Sequence, residues 1–256
     1  MLKSLAGGAL FGEVWGTGTP EVLVLHGWGR THADFAAVAG PAAAGGPLPT
    51  LAPDLPGFGS TPAPPTAWGA ADYASALIPL LEDGGPGRPV VVLGHSRGGC
   101  IAVVLAAARP DLVRGIVLTG APVVPRPGGR RRPAPAFVVA RRLHRWGLVS
   151  DERMERARQR YGSADYRAAE GIMREVFVRM VNERYDEELA ALRCPVELVW
   201  GDDDADVPVG VARAALGALS GGPGATLTLC PGAGHLTPLT VPGALRAAVE
   251  RALARP

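Results

Sequence analysis

The chain predicts an α/β fold with a mostly parallel sheet flanked by helices, and three features carry that expectation. Short apolar runs alternate with amphipathic helical stretches at the spacing that strand-helix-strand units need. One such run, Val90 to Leu93, ends in Gly94-His95-Ser96-Arg97-Gly98 and continues straight into a helical pattern. The alternation stops between Pro122 and Arg193, where only helical segments are expected, and it resumes at Val196. The expected organisation is a core domain from residues 1–121 and 194–256, with a helical cap over 122–193 inserted after the sixth strand.

Taken in order, the first twenty residues hold strand-like pieces around Leu10 to Trp15, closed by a Gly/Thr/Pro turn. Val22 to Leu25 is a short run without alternation, which predicts a strand buried on both faces. It leads into His26-Gly27-Trp28-Gly29, a turn at a strand's carboxyl end, where open α/β sheets bind ligands. Leu51 to Ser60 is a second strand end and turn. Ala70 to Leu81 predicts a helix with Tyr73, Leu77, Leu80 and Leu81 on one side. After Ser96, the apolar residues Ile101, Val104, Leu105 and Ala108 recur at helical spacing, and Val113 to Thr119 supplies another strand.

Pro122 to Pro135 reads as a linker of Pro, Gly and Arg. Beyond it, helices are expected over Ala136–Trp146, Asp151–Tyr161, Asp165–Val181 and around Asp186 to Leu192. In the third, Ile172, Met173, Val176, Phe177, Met180 and Val181 form a wide apolar face. The sheet pattern returns at Val196 to Trp200, followed by an acidic turn, a helix over Val209–Leu219 and a strand over Ala225–Cys230. The turn Pro231 to His235 and a helix over Val241–Ala254 close the chain.

Composition narrows the function classes. With 256 residues, 47% of them hydrophobic, the chain can bury one large core. The three cysteines, Cys100, Cys194 and Cys230, are an odd number without metal-ligand spacing, so a disulfide framework is not expected. No apolar run approaches the roughly 18 residues a membrane span needs. No cleavage site follows the short apolar start, so a cytoplasmic protein with no leader and no membrane partner is expected. Net charge is only +2, yet residues 122–193 hold 16 arginines against 10 acids. That imbalance predicts a solvated basic helical surface, with a bias toward anionic small-molecule substrates as the sharper reading. No aromatic-basic interleaving or recognition motif points to nucleic acid.

The chemistry centres on Ser96. An abrupt strand-to-helix turn strains the backbone of its apical residue and lifts that side chain above the sheet edge. Gly94 and Gly98 flank it where a Cβ would meet neighbouring backbone. A serine becomes a competent nucleophile only when a base takes its proton and a carboxylate orients that base. His235 lies at a strand end, as does a carboxylate cluster of Asp202, Asp203, Asp204 and Asp206, and the order Ser, Asp, His fits the serine-based α/β arrangement.

At this point the chain resembles the α/β-hydrolase fold superfamily, in its esterase, lipase and carbon-carbon hydrolase branch. The matching pieces are His26 to Gly29, Asp54 to Ser60, Gly94 to Gly98, Gly201 with Asp204, Val207 and Pro208, and Gly232 to His235. The resemblance implies that Ser96 is the nucleophile, His235 the general base and then acid, and Asp204 the orienting carboxylate, with the other three acids as alternatives. It also implies an oxyanion hole from the backbone N–H groups of Trp28 and Arg97, and no metal or organic cofactor. Where many relatives carry an acid five residues after the last histidine, this chain has Thr240, which leaves the support of the His235 loop open. The Arg97 side chain is expected in a structural ion pair, His26 and His95 in structural hydrogen bonds, and His32 and His144 in no chemical role.

The leading functional expectation is a serine esterase acting on a small or medium ester, lactone or thioester through an acyl-enzyme. A carbon-carbon bond hydrolase acting on a diketo acid is the alternative within the same machinery. A small-ligand receptor of slow turnover is the alternative outside enzymology.

Overall fold

The computed structural model describes residues 1–82, 87–127, 135–161 and 163–255. Half of the expected linker, residues 128–134, therefore lies outside the described residues. The chain begins with β1 (Lys3–Leu5), β2 (Leu10–Trp15), β3 (Val22–Leu25), β4 (Thr50–Asp54), α1 (Ala70–Glu82), β5 (Val90–His95), α2 (Arg97–Ala108) and β6 (Val113–Thr119). Between β6 and the next strand lie α3 (Pro135–Arg145), α4 (Asp151–Tyr161), α5 (Ala164–Ala168), α6 (Gly171–Met180) and α7 (Asp186–Ala191). The remainder is β7 (Val196–Gly201), α8 (Val209–Ala218), β8 (Ala225–Cys230), α9 (Thr237–Thr240) and α10 (Pro242–Ala254).

Eight strands form one sheet in the order β1-β2-β4-β3-β5-β6-β7-β8. β1 with β2 and β2 with β4 pair antiparallel, and every later pairing is parallel. The period-two alternation of each strand divides its side chains between two cores. Leu23, Leu25, Val92, Ile116, Leu118 and Trp200 enter the face covered by α1, α2 and α8. Val22, Val24, Val91, Leu93, Val117 and Val199 enter the opposite face, under α10 and the segment around Phe35 and Val38. Burial of each such side chain contributes about 1.5–3 kcal/mol, which explains the continuous apolar runs of β3 and β5. Because β3 to β8 run parallel, the turns after them open along one edge of the sheet, where ligands gather in such folds.

The expected single helix over Asp165–Val181 is instead two. Ala169 and Glu170 are extended and Gly171 takes φ +50°, so the backbone turns between α5 and α6. A glycine tolerates that left-handed conformation at little cost, and the apolar periodicity runs on past it. Val176, Phe177 and Met180 of α6 are buried, and Leu189 of α7 joins the core beneath α2. By contrast α3 buries no residue.

Candidate active site

Ser96 sits between β5 and α2 with φ 51° and ψ −118°, and among the described residues only Ala6 shares a positive φ without being glycine. Such a conformation costs about 1–3 kcal/mol and persists because the surroundings hold it. The Ser96 N–H donates to the Thr119 carbonyl at 2.9 Å. A Cβ on Gly94 would lie 2.5 Å from the Gly99 Cα, and one on Gly98 would strike the Leu25 carbonyl. The two glycines thus let α2 pack directly against its own strand and β3.

His235 reaches this serine from the turn after β8. Its Nε2 lies 3.1 Å from the Ser96 Oγ, and its Nδ1 lies 2.8 Å from Asp204 Oδ2. An ionised carboxylate only accepts, so Nδ1–H donates to Asp204 and the bare Nε2 faces the serine hydroxyl. Gly120, at φ +54°, makes room for the ring, since a Cβ there would come within 2.8 Å of His235 Cε1. The loop is fixed from two other sides. His95 Nε2–H donates to the His235 carbonyl at 2.9 Å, and the buried hydroxyls of Thr119 and Thr237 share a hydrogen bond. Thr240 Oγ1 donates to the Leu236 carbonyl at 3.2 Å.

Of the four clustered acids, Asp204 meets His235. It is 4% exposed, and its Oδ1 accepts the N–H groups of Asp206 at 2.9 Å and Val207 at 2.7 Å. Those donors occupy one oxygen and turn the other toward the imidazole. The turn is anchored by the fully buried Trp200, whose indole N–H donates to the Val207 carbonyl at 2.8 Å. Asp202 instead accepts the Gly232 N–H at 2.7 Å, joining this turn to the histidine loop, while the side chains of Asp203 and Asp206 are exposed. The ligand-capable atoms of Asp204, Asp206 and His235 lie within 4.8 Å of one another, but the Asp204 oxygens and His235 Nδ1 already have partners. The triad geometry accounts for that cluster.

Trp28 and Arg97 border the serine from β3 and α2. Among the described residues neither backbone N–H donates to a backbone acceptor. The preceding Gly27 is pressed against the site, because a Cβ on it would lie 3.2 Å from the Ser96 Cβ and 2.9 Å from His95 Nδ1. The Trp28 ring stacks edge-on with Phe58 at 4.9 Å and with Phe177 of α6 at 5.0 Å. Arg97 departs from expectation. Among the described residues it makes no ion pair; its guanidinium donates to the Met180 carbonyl at the end of α6, at 3.2 Å. An α-helix leaves its last carbonyls without internal donors, so this contact caps α6 and joins it to the turn at Ser96.

A cavity of about 540 Å³ is lined by Arg97, Val123, Arg126, Tyr185 and Asp206 among others; it shares Arg97 with the turn at Ser96, but Ser96, Asp204 and His235 are not in its wall. One residue at this edge carries no sequence signal. Asp165 of α5 lies within electrostatic range of Asp206, Arg97 and His235; desolvation and then the Asp206 charge raise its pKa above the ordinary carboxylate value.

The remaining histidines divide clearly. Burial pushes His26 and His95 down to about 4, so both are neutral. His26 Nδ1–H donates to the Gly27 carbonyl and its Nε2 accepts the Leu55 N–H at 2.9 Å, pinning the Trp28 turn to β4. His32, expected in no chemical role, bonds Asp54 through Nδ1 at 2.7 Å, and Asp54 also accepts the backbone N–H groups of His32 and Ser60. His144 pairs with Asp151 on the surface. Cys100 is fully buried and its thiol is pushed up to about 11 by that burial, so it packs rather than reacts.

A Ser-His-Asp row along the carboxyl edge of a mostly parallel sheet is the signature of the α/β-hydrolase class. Sequence comparison agrees: the model of the alpha/beta hydrolase family matches residues 22–248, and the chain belongs to that family. It is 35% identical over 182 residues to Lipase LipV of Mycobacterium tuberculosis, a match covering 69% of this chain and 66% of that protein. It is 40% identical over 111 residues to the pimeloyl-[acyl-carrier protein] methyl ester esterase of Chromobacterium violaceum, covering 43% of this chain and 39% of that one. The chain thus spans less than two thirds of the length of these relatives. Among solved structures, an esterase from Thermogutta terrifontis superposes with a TM-score of 0.69 at 24% identity, covering 99% of this chain and 98% of that one. Esterase RhEst1 from Rhodococcus sp. ECU1013 superposes with a TM-score of 0.66 at 24% identity, covering 98% and 96%. At that identity the likeness speaks for the fold alone.

Proposed function

We propose that the protein is a serine esterase that cleaves a small or medium ester, lactone or thioester through an acyl-enzyme. The observation that carries this reading is the continuous row from Ser96 Oγ through His235 to Asp204, at 3.1 and 2.8 Å, beneath a strained serine backbone. Ser96 Oγ attacks the substrate carbonyl while its proton passes to His235 Nε2, and Asp204 stabilises the resulting imidazolium. The tetrahedral oxyanion takes the N–H groups of Trp28 and Arg97, donors worth roughly 2.7–4 kcal/mol each. Collapse returns the proton from His235 to the leaving alcohol or thiol. Water, deprotonated by the same nitrogen, then releases the acid from Ser96. The names of the sequence relatives, a lipase and a methyl ester esterase, support ester cleavage.

The segment 122–193 serves as a cap. Phe177 on Trp28 and Met180 on Arg97 attach α6 to both oxyanion residues, so the cap and the oxyanion hole are positioned together. The cavity beside them receives the acyl or leaving group, and Arg97 with Arg126 in its wall favours a substrate with an anionic end. That same wall favours a diketo acid as the second reading, since its carboxylate would use those arginines.

The test is a substrate series on wild type and Ser96→Ala. Chain-length-dependent turnover of p-nitrophenyl esters, lost in Ser96→Ala, supports the esterase. Ser96-dependent cleavage of a diketo acid without ester turnover supports the second reading. Binding without turnover of either would leave a receptor.

A further inference from the structure

The cap carries a face that neither the site nor the core uses. At 100° per residue, Val138, Val139, Arg141, Arg142, Arg145 and Trp146 project from one side of α3 and its end, while Phe137, Ala140 and Leu143 lean on the opposite side. The outward group is open to solvent, with Val139 56%, Trp146 59% and the following Leu148 66% exposed. Residues 135–148 contain no acid. The Arg142 guanidinium lies 4.8 Å over the Trp146 ring, which joins charge and apolar surface into one patch. The half-buried side packs on α4, where Phe137 meets Tyr161 at 6.1 Å.

We propose that α3 and the Trp146 to Leu148 turn form a docking face for an anionic lipid surface. A helix that presents arginines beside tryptophan and valine matches the two layers of such a surface, phosphate outside and hydrocarbon beneath. A soluble acidic partner would satisfy the guanidinium groups but leave Val139, Trp146 and Leu148 in water. The helix lies on the surface and does not cross it, in keeping with the absence among the described residues of any helix long and apolar enough to span. This proposal departs from the expectation of no membrane partner. The face is also connected to the catalytic edge. α3 rests on α4, Glu155 of α4 accepts Arg174 of α6 at 3.0 Å, and Phe177 of α6 stacks on Trp28. An esterase docked this way meets esters dissolved in the lipid layer, although binding itself does not depend on the esterase reading.

The test is flotation of the full chain with vesicles of phosphatidylcholine, with and without about 30% phosphatidylglycerol. At least tenfold tighter binding to the anionic vesicles is expected, weakening as salt is raised. Arg141→Gln, Arg142→Gln and Arg145→Gln together should weaken it about a hundredfold. Val139→Ser with Trp146→Ser should weaken it about tenfold on the same vesicles, because the apolar contact is lost while the charge remains. Hydrolysis of a water-soluble ester by these variants should stay within about twofold of wild type, since no residue changed touches the triad. Equal binding to both vesicle types overturns the proposal. So does loss in the arginine variant without loss in the Val139/Trp146 variant, which would leave a purely electrostatic attraction with no part for the apolar residues.

Discussion

Replacing Asp204 by asparagine separates the shape of the acid from its charge. The substitution changes one atom, yet the two oxygens of Asp204 face opposite demands. Oδ1 accepts two backbone N–H groups, from Asp206 and Val207, and Oδ2 accepts the His235 Nδ1–H. An asparagine must give its carbonyl to the backbone pair, since turning its NH2 there would set donor against donor in a buried site. The NH2 then faces His235 Nδ1, which must accept, so the ring proton moves to Nε2 and points at Ser96. The serine loses its base, and kcat should fall by about 10⁴, as expected when the histidine is held in the wrong tautomer. KM should change little, because Asp204 is buried behind His235. Loss of a charge-assisted hydrogen bond should lower stability by about 1–3 kcal/mol, a shift of a few degrees in melting temperature. Initial rates on a p-nitrophenyl ester with a parallel thermal melt measure both. If kcat falls less than tenfold in a folded variant, Asp204 does not orient the base.

Three further perturbations follow from the same contacts. Gly120→Ala places a methyl group 2.8 Å from His235 Cε1 in a left-handed conformation, so kcat should drop at least about tenfold while far-ultraviolet circular dichroism is retained. Thr119→Val leaves the buried Thr237 hydroxyl without its partner and should cost about 1–3 kcal/mol in urea unfolding, with a smaller loss of kcat as the histidine loop loosens. His32→Gln tests a pH-dependent contribution. The hydrogen bond to Asp54 raises the His32 pKa above its ordinary 6.5, so the stabilisation is fully present below that value and fades as pH rises through the raised one. The melting temperatures of wild type and His32→Gln should differ most near pH 6 and converge at higher pH, and a gap that widens with pH would contradict the pairing.

What could be read in the residues followed from local chemistry. Ser96 was legible because the strand, the turn and the helix all lie within twenty residues, and the flanking glycines have no other use there. The buried strands β3 and β5 announce themselves because both faces of each are covered and Val22 to Leu25 and Val90 to Leu93 hold no polar residue, whereas β7 carries the buried Glu197, paired with Arg251 and Arg255. Asp204 stands apart from the three neighbouring acids in the sequence only through its place in the family pattern, between Gly201 and Val207. Its selection depends on where Trp200 and the two backbone N–H groups hold the turn, which are contacts across space. The three-residue β1 is too short to carry a period. The break between α5 and α6 was hidden because the apolar spacing continues through Gly171, while the conformation of that one residue redirects the chain. His32 and Asp54 are 22 positions apart and meet only because β3 and β4 are neighbours in the sheet. Asp165 reaches the catalytic edge by the same kind of long-range placement, carried there on the inserted helices.

The most direct test of the central claim is the mass of the intact protein after brief treatment with a p-nitrophenyl phosphonate ester, followed by peptide mapping. The serine-esterase account predicts one adduct, on Ser96, that forms rapidly in wild type, slowly in Asp204→Asn and not at all in Ser96→Ala. An unmodified wild-type protein, or an adduct that persists when Ser96 is replaced, would contradict it.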